Sequence, residues 1–335
     1  MKLLKKLASV AAILTLVVAG ITNVNKSTDS SLALNGSMFD PGLIISDSVF
    51  YDFGTMTVKD IQRFLDSRVP NCNASPTSPG CLKDFTMDIP ATPASEGRCS
   101  AIEARTKASA AQAIYDVARA CGINPRVILV TLQKEQGLVT STNPTEYKYR
   151  AAMGMSCPDS NPAQCGKVDG GFFQQLYKGA GQLQWYNDPR GSFTYLKVGR
   201  TITRPFHPNA SCGTQSFVLK SAATAALYYY TPYVPNKSAL DNLYSTGNSC
   251  SSYGNRNFWR FYSDWFGSPI GGGFLLKSSG SDTFLIVDEQ KYRITDQSLL
   301  TALAPLGPLG PVSPVGPVAP VSPVATYEPL SPVAP

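Results

Sequence analysis

The chain has 335 residues, of which 43% are hydrophobic and only 16% charged. That length allows one large domain or two to three small ones, and the apolar fraction excludes disorder over most of it. The net charge of +6 falls to +3 without Lys2, Lys5 and Lys6, which is too weak and diffuse to point to nucleic acid. A single histidine, His207, argues against metal sites built on several histidines, so neither metal nor cofactor is expected.

Lys2, Lys5 and Lys6 precede an apolar run over residues 7–21, interrupted only by Ser9, Thr15 and Gly20. The run is short for a bilayer span of about 20 residues. It reads as a secretory signal peptide over 1–21, with no integral membrane span left after its removal; the alternative is an uncleaved N-terminal anchor. The eight cysteines lie beyond it, at 72, 81, 99, 121, 157, 165, 212 and 250, and none forms a C-x-x-C pair. An even number in an exported chain reads as four disulfides. The local pairs Cys72–Cys81, Cys99–Cys121, Cys157–Cys165 and Cys212–Cys250 are expected, because each closes its own loop or braces its own helix.

Residues 22–43 form a polar linker, and 44–53 are mixed. Thr57 with Asp60 resembles a capping box and opens a helix through Asp66. Residues 70–93 are rich in Pro, Ser and Thr and read as a disulfide-tied loop. Residues 100–120 are Ala-rich and helix-forming. Asn124-Pro125 is a strong helix start and Gly137 a natural stop. Between them, 127–132 is apolar nearly all round, as in a buried helix. Loop signals follow at Asn143-Pro144, Cys157-Pro158 and Asn161-Pro162, then a helix over 172–186. Phe193 and Tyr195 alternate with Thr194, a weak strand signal. Residues 216–230 read as a buried helix, and Phe258, Phe261, Tyr262 and Trp265 mark one face of a last one. Beyond a hinge at Gly271-Gly272-Gly273, short strands are expected over 274–277, 283–287 and 291–294. The tail repeats Pro-Val units, as in Gly310-Pro311-Val312-Ser313-Pro314-Val315, and favours extended polyproline II. The expected fold class is mainly α, braced by disulfides, with a helical domain over 44–269, a small β module over 270–303 and a Pro-rich tail over 304–335.

The residue with most chemical content is Glu135. Ile128, Thr131 and Leu132 lie seven, four and three residues before it and share its helix face. An acid on the inward side of an apolar helix is desolvated, and the negative helix end acts in the same direction, so the protonated form is favoured. Such a group can donate a proton to a leaving alkoxide; the alternative reading of the same pattern is an exposed helix-end residue beside Lys134. Asp159, Asp169 and Asp188 sit in Pro- or Gly-rich loops and read as turn formers. Trp185, Tyr186 and the run Tyr228-Tyr229-Tyr230, with Tyr233 beyond the Thr231-Pro232 break, are candidates for stacking on sugar faces, the alternative at helical spacing being core packing.

The run from Ile123 to Glu135-Gln136-Gly137 resembles the catalytic helix of lysozyme-like lytic transglycosylases. Ala152-Met153-Gly154-Met155 resembles that family's cleft-lining Ala-Met-Gly-Leu segment, and Ala226-Leu227-Tyr228 its later tyrosine motif. Three positions depart: Ser156-Cys157 replaces Met-Gln, and Tyr229 replaces Asn. The whole chain also looks like exported Gram-positive proteins labelled hemagglutinin-like. The resemblance implies a lysozyme-like fold, Glu135 as the catalytic acid/base, and Met153, Gly154, Met155 and Tyr228 beside the substrate. It implies an exported enzyme, secreted or wall-associated, that cleaves peptidoglycan by transglycosylation or hydrolysis. The second expectation is a glycan- or surface-binding protein without turnover.

Overall fold

The computed structural model describes residues 34–157 and 170–271, and three strands beyond them. The signal-like segment, the Pro-rich tail, Asp159, Asp169 and Cys165 lie outside the described residues. One compact unit comprises Asn35–Trp265, and from Phe266 the chain belongs to a second. The described residues are mostly helical, with small antiparallel hairpins.

In the first unit the helices run in chain order: α1 (Asp47–Phe50), α2 (Val58–Arg68), α3 (Ala110–Cys121), α4 (Pro125–Gln136), α5 (Glu146–Arg150), α6 (Phe172–Trp185), α7 (Ala222–Tyr230), α8 (Lys237–Asp241) and α9 (Gly254–Phe266). α2 opens on the expected capping box: the Thr57 hydroxyl accepts from the Asp60 N–H, and the Asp60 carboxylate accepts from the Thr57 N–H. The Thr57 hydroxyl, donating to Asp60 Oδ2 at 2.6 Å, and the Thr57 N–H, together with Arg63, hold the Asp60 carboxyl down at about 2. α3 packs against α2, α4 and α6, and α7 packs against α1 and α6. The core sits there: Ile114, Val117, Val127, Ile128, Leu129, Leu176 and Ala226 are fully buried.

Two hairpins flank the helices. β1 (Thr86–Ile89) pairs with β2 (Arg105–Ser109), and β3 (Thr201–Pro205) pairs with β4 (Thr214–Val218). Both correct the sequence reading. The helix expected over 100–120 begins only at Ala110, because Lys107 takes a left-handed backbone (φ 51) and Ser109 caps the Gln112 N–H. The helix expected from 216 begins at Ala222 behind its Ser221 cap, and 214–218 is strand instead. Phe193 and Tyr195 lie in an irregular loop, with the strand starting at Thr201.

Disulfides join Cys72 to Cys81, Cys99 to Cys121, and Cys212 to Cys250, each of them a local pair as expected. Cys157 is also disulfide-bonded. In the second unit, β5 (Phe274–Lys277), β6 (Thr283–Val287) and β7 (Gln290–Ile294) form a three-stranded antiparallel sheet in sequential order.

Candidate functional site

Glu135 owes its place to the helix that carries it. Asn124 caps α4 by accepting from the Arg126 N–H, Pro125 supplies the first turn, and the interior from Val127 to Leu132 is buried. Gly137 ends the helix at φ +58, a left-handed conformation that glycine adopts without steric penalty. The last turn emerges beside the end of α7. There the Glu135 side chain is 23% exposed and its neighbour Lys134 only 5%.

The lysine turns inward, and the carboxylate beside it is part-buried. Lys134 Nζ donates to Glu135 Oε1 and, at 3.1 Å, to Thr231 Oγ1. It also lies 5.0 Å from the ring centroid of Tyr230. The ammonium thus has a carboxylate, a hydroxyl and an aromatic face around it, which is what allows a lysine to be buried here. The Glu135 carboxylate is not isolated, because the buried Lys134 ammonium contacts it directly.

A turn over residues 151–155 forms the facing wall. Gln175, fully buried on α6, clamps it: its Oε1 accepts from the Met153 and Met155 N–H groups at 3.1 and 3.0 Å, and its Nε2 donates to the Met155 carbonyl at 3.0 Å. Gly154, at the apex, has φ +70, and a Cβ there would stand 3.1 Å from Glu135 Oε2. Its absence lets the turn close onto the carboxylate. Gly154→Ala is expected to lower stability by about 1–2 kcal/mol through the left-handed backbone and to displace the carboxylate. Denaturant unfolding of the two proteins measures the loss, and an unchanged midpoint would contradict it.

The other candidates separate. Met153 is fully buried and packs in the core, whereas Gly154 and Met155 are half-buried at the site. Tyr228 is fully buried and its hydroxyl donates to the Pro41 carbonyl at 3.0 Å. It is a core residue whose hydroxyl burial pushes far up. Tyr229 is half-buried within an aromatic cluster. Tyr233 contributes its backbone carbonyl, which accepts from Asn255 Nδ2 at 2.9 Å. The tyrosine at the carboxylate is Tyr230, whose hydroxyl donates to the Met153 carbonyl. Burial, and then the charge of Glu135, raise that hydroxyl well above its usual range.

Lys134, Gln175 and Thr231 escaped the sequence reading as site residues, whereas Tyr230 stands in the tyrosine run it singled out. Gln175 alone left a signal, as a polar residue three positions after Phe172 on an otherwise apolar face. Asp188 is a turn residue, held at about 2 by hydrogen bonds from the Arg190 side chain and N–H.

The family model for the N-terminal domain of LasA matches residues 43–271. No curated protein and no solved structure matches the chain. The family match overturns the resemblance to lysozyme-like lytic transglycosylases and to hemagglutinin-like proteins, and with it the transglycosylase role given to Glu135. The motifs behind that resemblance are short, and local structure accounts for much of them. Gly137 is required by the helix end, Gly154 by a turn with φ +70, and Tyr228 by packing. With 43–271 covered by one family model, the chain belongs to the LasA N-terminal domain family.

Proposed function

We propose that this domain works outside the cell and binds a polysaccharide of the bacterial cell wall, peptidoglycan or a related glycan, at the surface around Glu135. The observation that carries the proposal is the partly exposed Glu135 carboxylate, oriented by Lys134 and set beside the Thr231 hydroxyl. Sugar hydroxyls are both donors and acceptors, so a charged acceptor with a hydroxyl next to it suits them. Support for an extracellular setting comes from the disulfides. Among the described residues, no helix is long and apolar enough to cross a membrane.

The test is co-sedimentation of the purified protein with insoluble peptidoglycan. Wild type is expected to pellet, and Glu135→Gln to bind about tenfold or more weakly, as loss of a charged acceptor predicts. A wild-type protein that stays in the supernatant at all wall concentrations would end the proposal.

A further inference from the structure

The loop after α6 carries an aromatic group that the Glu135 site does not use. Tyr229, in the last turn of α7, is its hub. Tyr186 stacks on it with ring centroids 5.4 Å apart, and Phe193 and Tyr195 meet it edge-on at 5.1 and 4.8 Å. Phe193 also meets Tyr186 edge-on at 4.6 Å. The loop is pinned from below, because the Tyr229 hydroxyl accepts from the Leu196 N–H at 2.8 Å and the Leu196 side chain is buried. Within this fixed group Tyr195 is 64% exposed.

A tyrosine held by a ring contact yet open to water has already lost part of its rotamer freedom. A ligand stacking on it has less ordering to supply. The C–H-bearing face of a pyranose is the ligand surface that matches an aromatic face, while its equatorial hydroxyls remain in water or reach polar neighbours. Continuity with the Glu135 site argues for the same occupant. Tyr229 contacts Tyr195, and the next residue, Tyr230, contacts Lys134, so the end of α7 serves both features.

We propose that Tyr195, backed by Tyr229, is a saccharide-stacking subsite. It makes the glycan chain, and not an attached peptide, the ligand of this surface. The inference rests on the wall-glycan reading above and narrows it.

The experiment compares wild type, Tyr195→Ala, Tyr195→Phe and Glu135→Gln. Each is titrated against insoluble peptidoglycan, with competition by glycan strands from which an amidase has removed the stem peptides. Tyr195→Ala should bind about tenfold more weakly, the scale of one aromatic contact. Tyr195→Phe should bind within a factor of about two of wild type, because it keeps the ring. Stripped strands should displace the wild type. Thermal midpoints should match throughout the Tyr195 series, since the side chain is exposed. Wild-type affinity in Tyr195→Ala, or equal loss in Tyr195→Phe, would overturn the stacking subsite while leaving the Glu135 reading standing. Failure of stripped strands to compete would reassign the ligand to the peptide. Failure of the wild type to bind the wall at all would remove both proposals.

Discussion

Replacing Thr224 with valine is expected to cost about 3–5 kcal/mol of stability, although the two side chains have nearly the same shape. Thr224 is fully buried on α7. Its Oγ1 accepts from the Ile44 and Ile45 N–H groups at 3.0 and 3.3 Å and donates to the Ile45 carbonyl at 3.2 Å. Valine leaves both N–H groups buried and unpartnered, and each such group costs about 1–3 kcal/mol. The neighbouring bonds magnify the effect, because the whole 41–47 stretch is sewn to this helix. Ser221 Oγ donates to the Ile45 carbonyl, the Ala223 N–H donates to Asp47 Oδ1, and Lys220 N–H donates to the Gly42 carbonyl. Unfolding of the protein in urea, or a Tm lowered by roughly 10 °C, measures the loss. Thr224→Ser keeps the hydroxyl and should lose only about 1 kcal/mol. Equal losses in the two variants would show that the methyl matters and the bonds do not.

Asn124→Ala is expected to destabilise by about 3 kcal/mol, more than the roughly 1 kcal/mol typical of a helix cap. The excess comes from two further bonds of a buried side chain. Asn124 Oδ1 also accepts from the Thr55 hydroxyl at 2.7 Å, and Nδ2 donates to the Val49 carbonyl at 2.7 Å. Alanine removes the cap and strands both partners. Asn124→Asp keeps the acceptor for Arg126 N–H and Thr55 but loses the donor, so it should fall between. Because α4 ends in Lys134 and Glu135, wall binding should weaken in parallel with stability. A loss no larger than that of an exposed cap would show that the Thr55 and Val49 bonds contribute nothing net.

What was legible in the sequence depended on residues a few positions apart. The α4 boundaries follow from Asn124-Pro125 and Gly137, the α2 start from Thr57 and Asp60, and the α9 face from its aromatic spacing. The three strands after residue 271 belong to the same class, as do the three local disulfides. In each case the determining contact lies within one helical turn, one hairpin or one short loop, so spacing and turn chemistry encode it. The short family-like motifs had this local character too, which is why they suggested a family that the match over 43–271 does not support.

Only the tertiary structure decided the site. The ring of Tyr230 and the hydroxyl of Thr231, almost a hundred residues further on, draw Lys134 inward beside the part-buried Glu135. Gln175 reached the Met153–Met155 backbone from another helix, and Ile44 found Thr224 180 residues away. Tyr195 joined Tyr229 in a loop that a strand pattern had claimed. A buried polar group must find a partner wherever the fold brings one, at any separation along the chain, and no periodicity in the sequence records that choice.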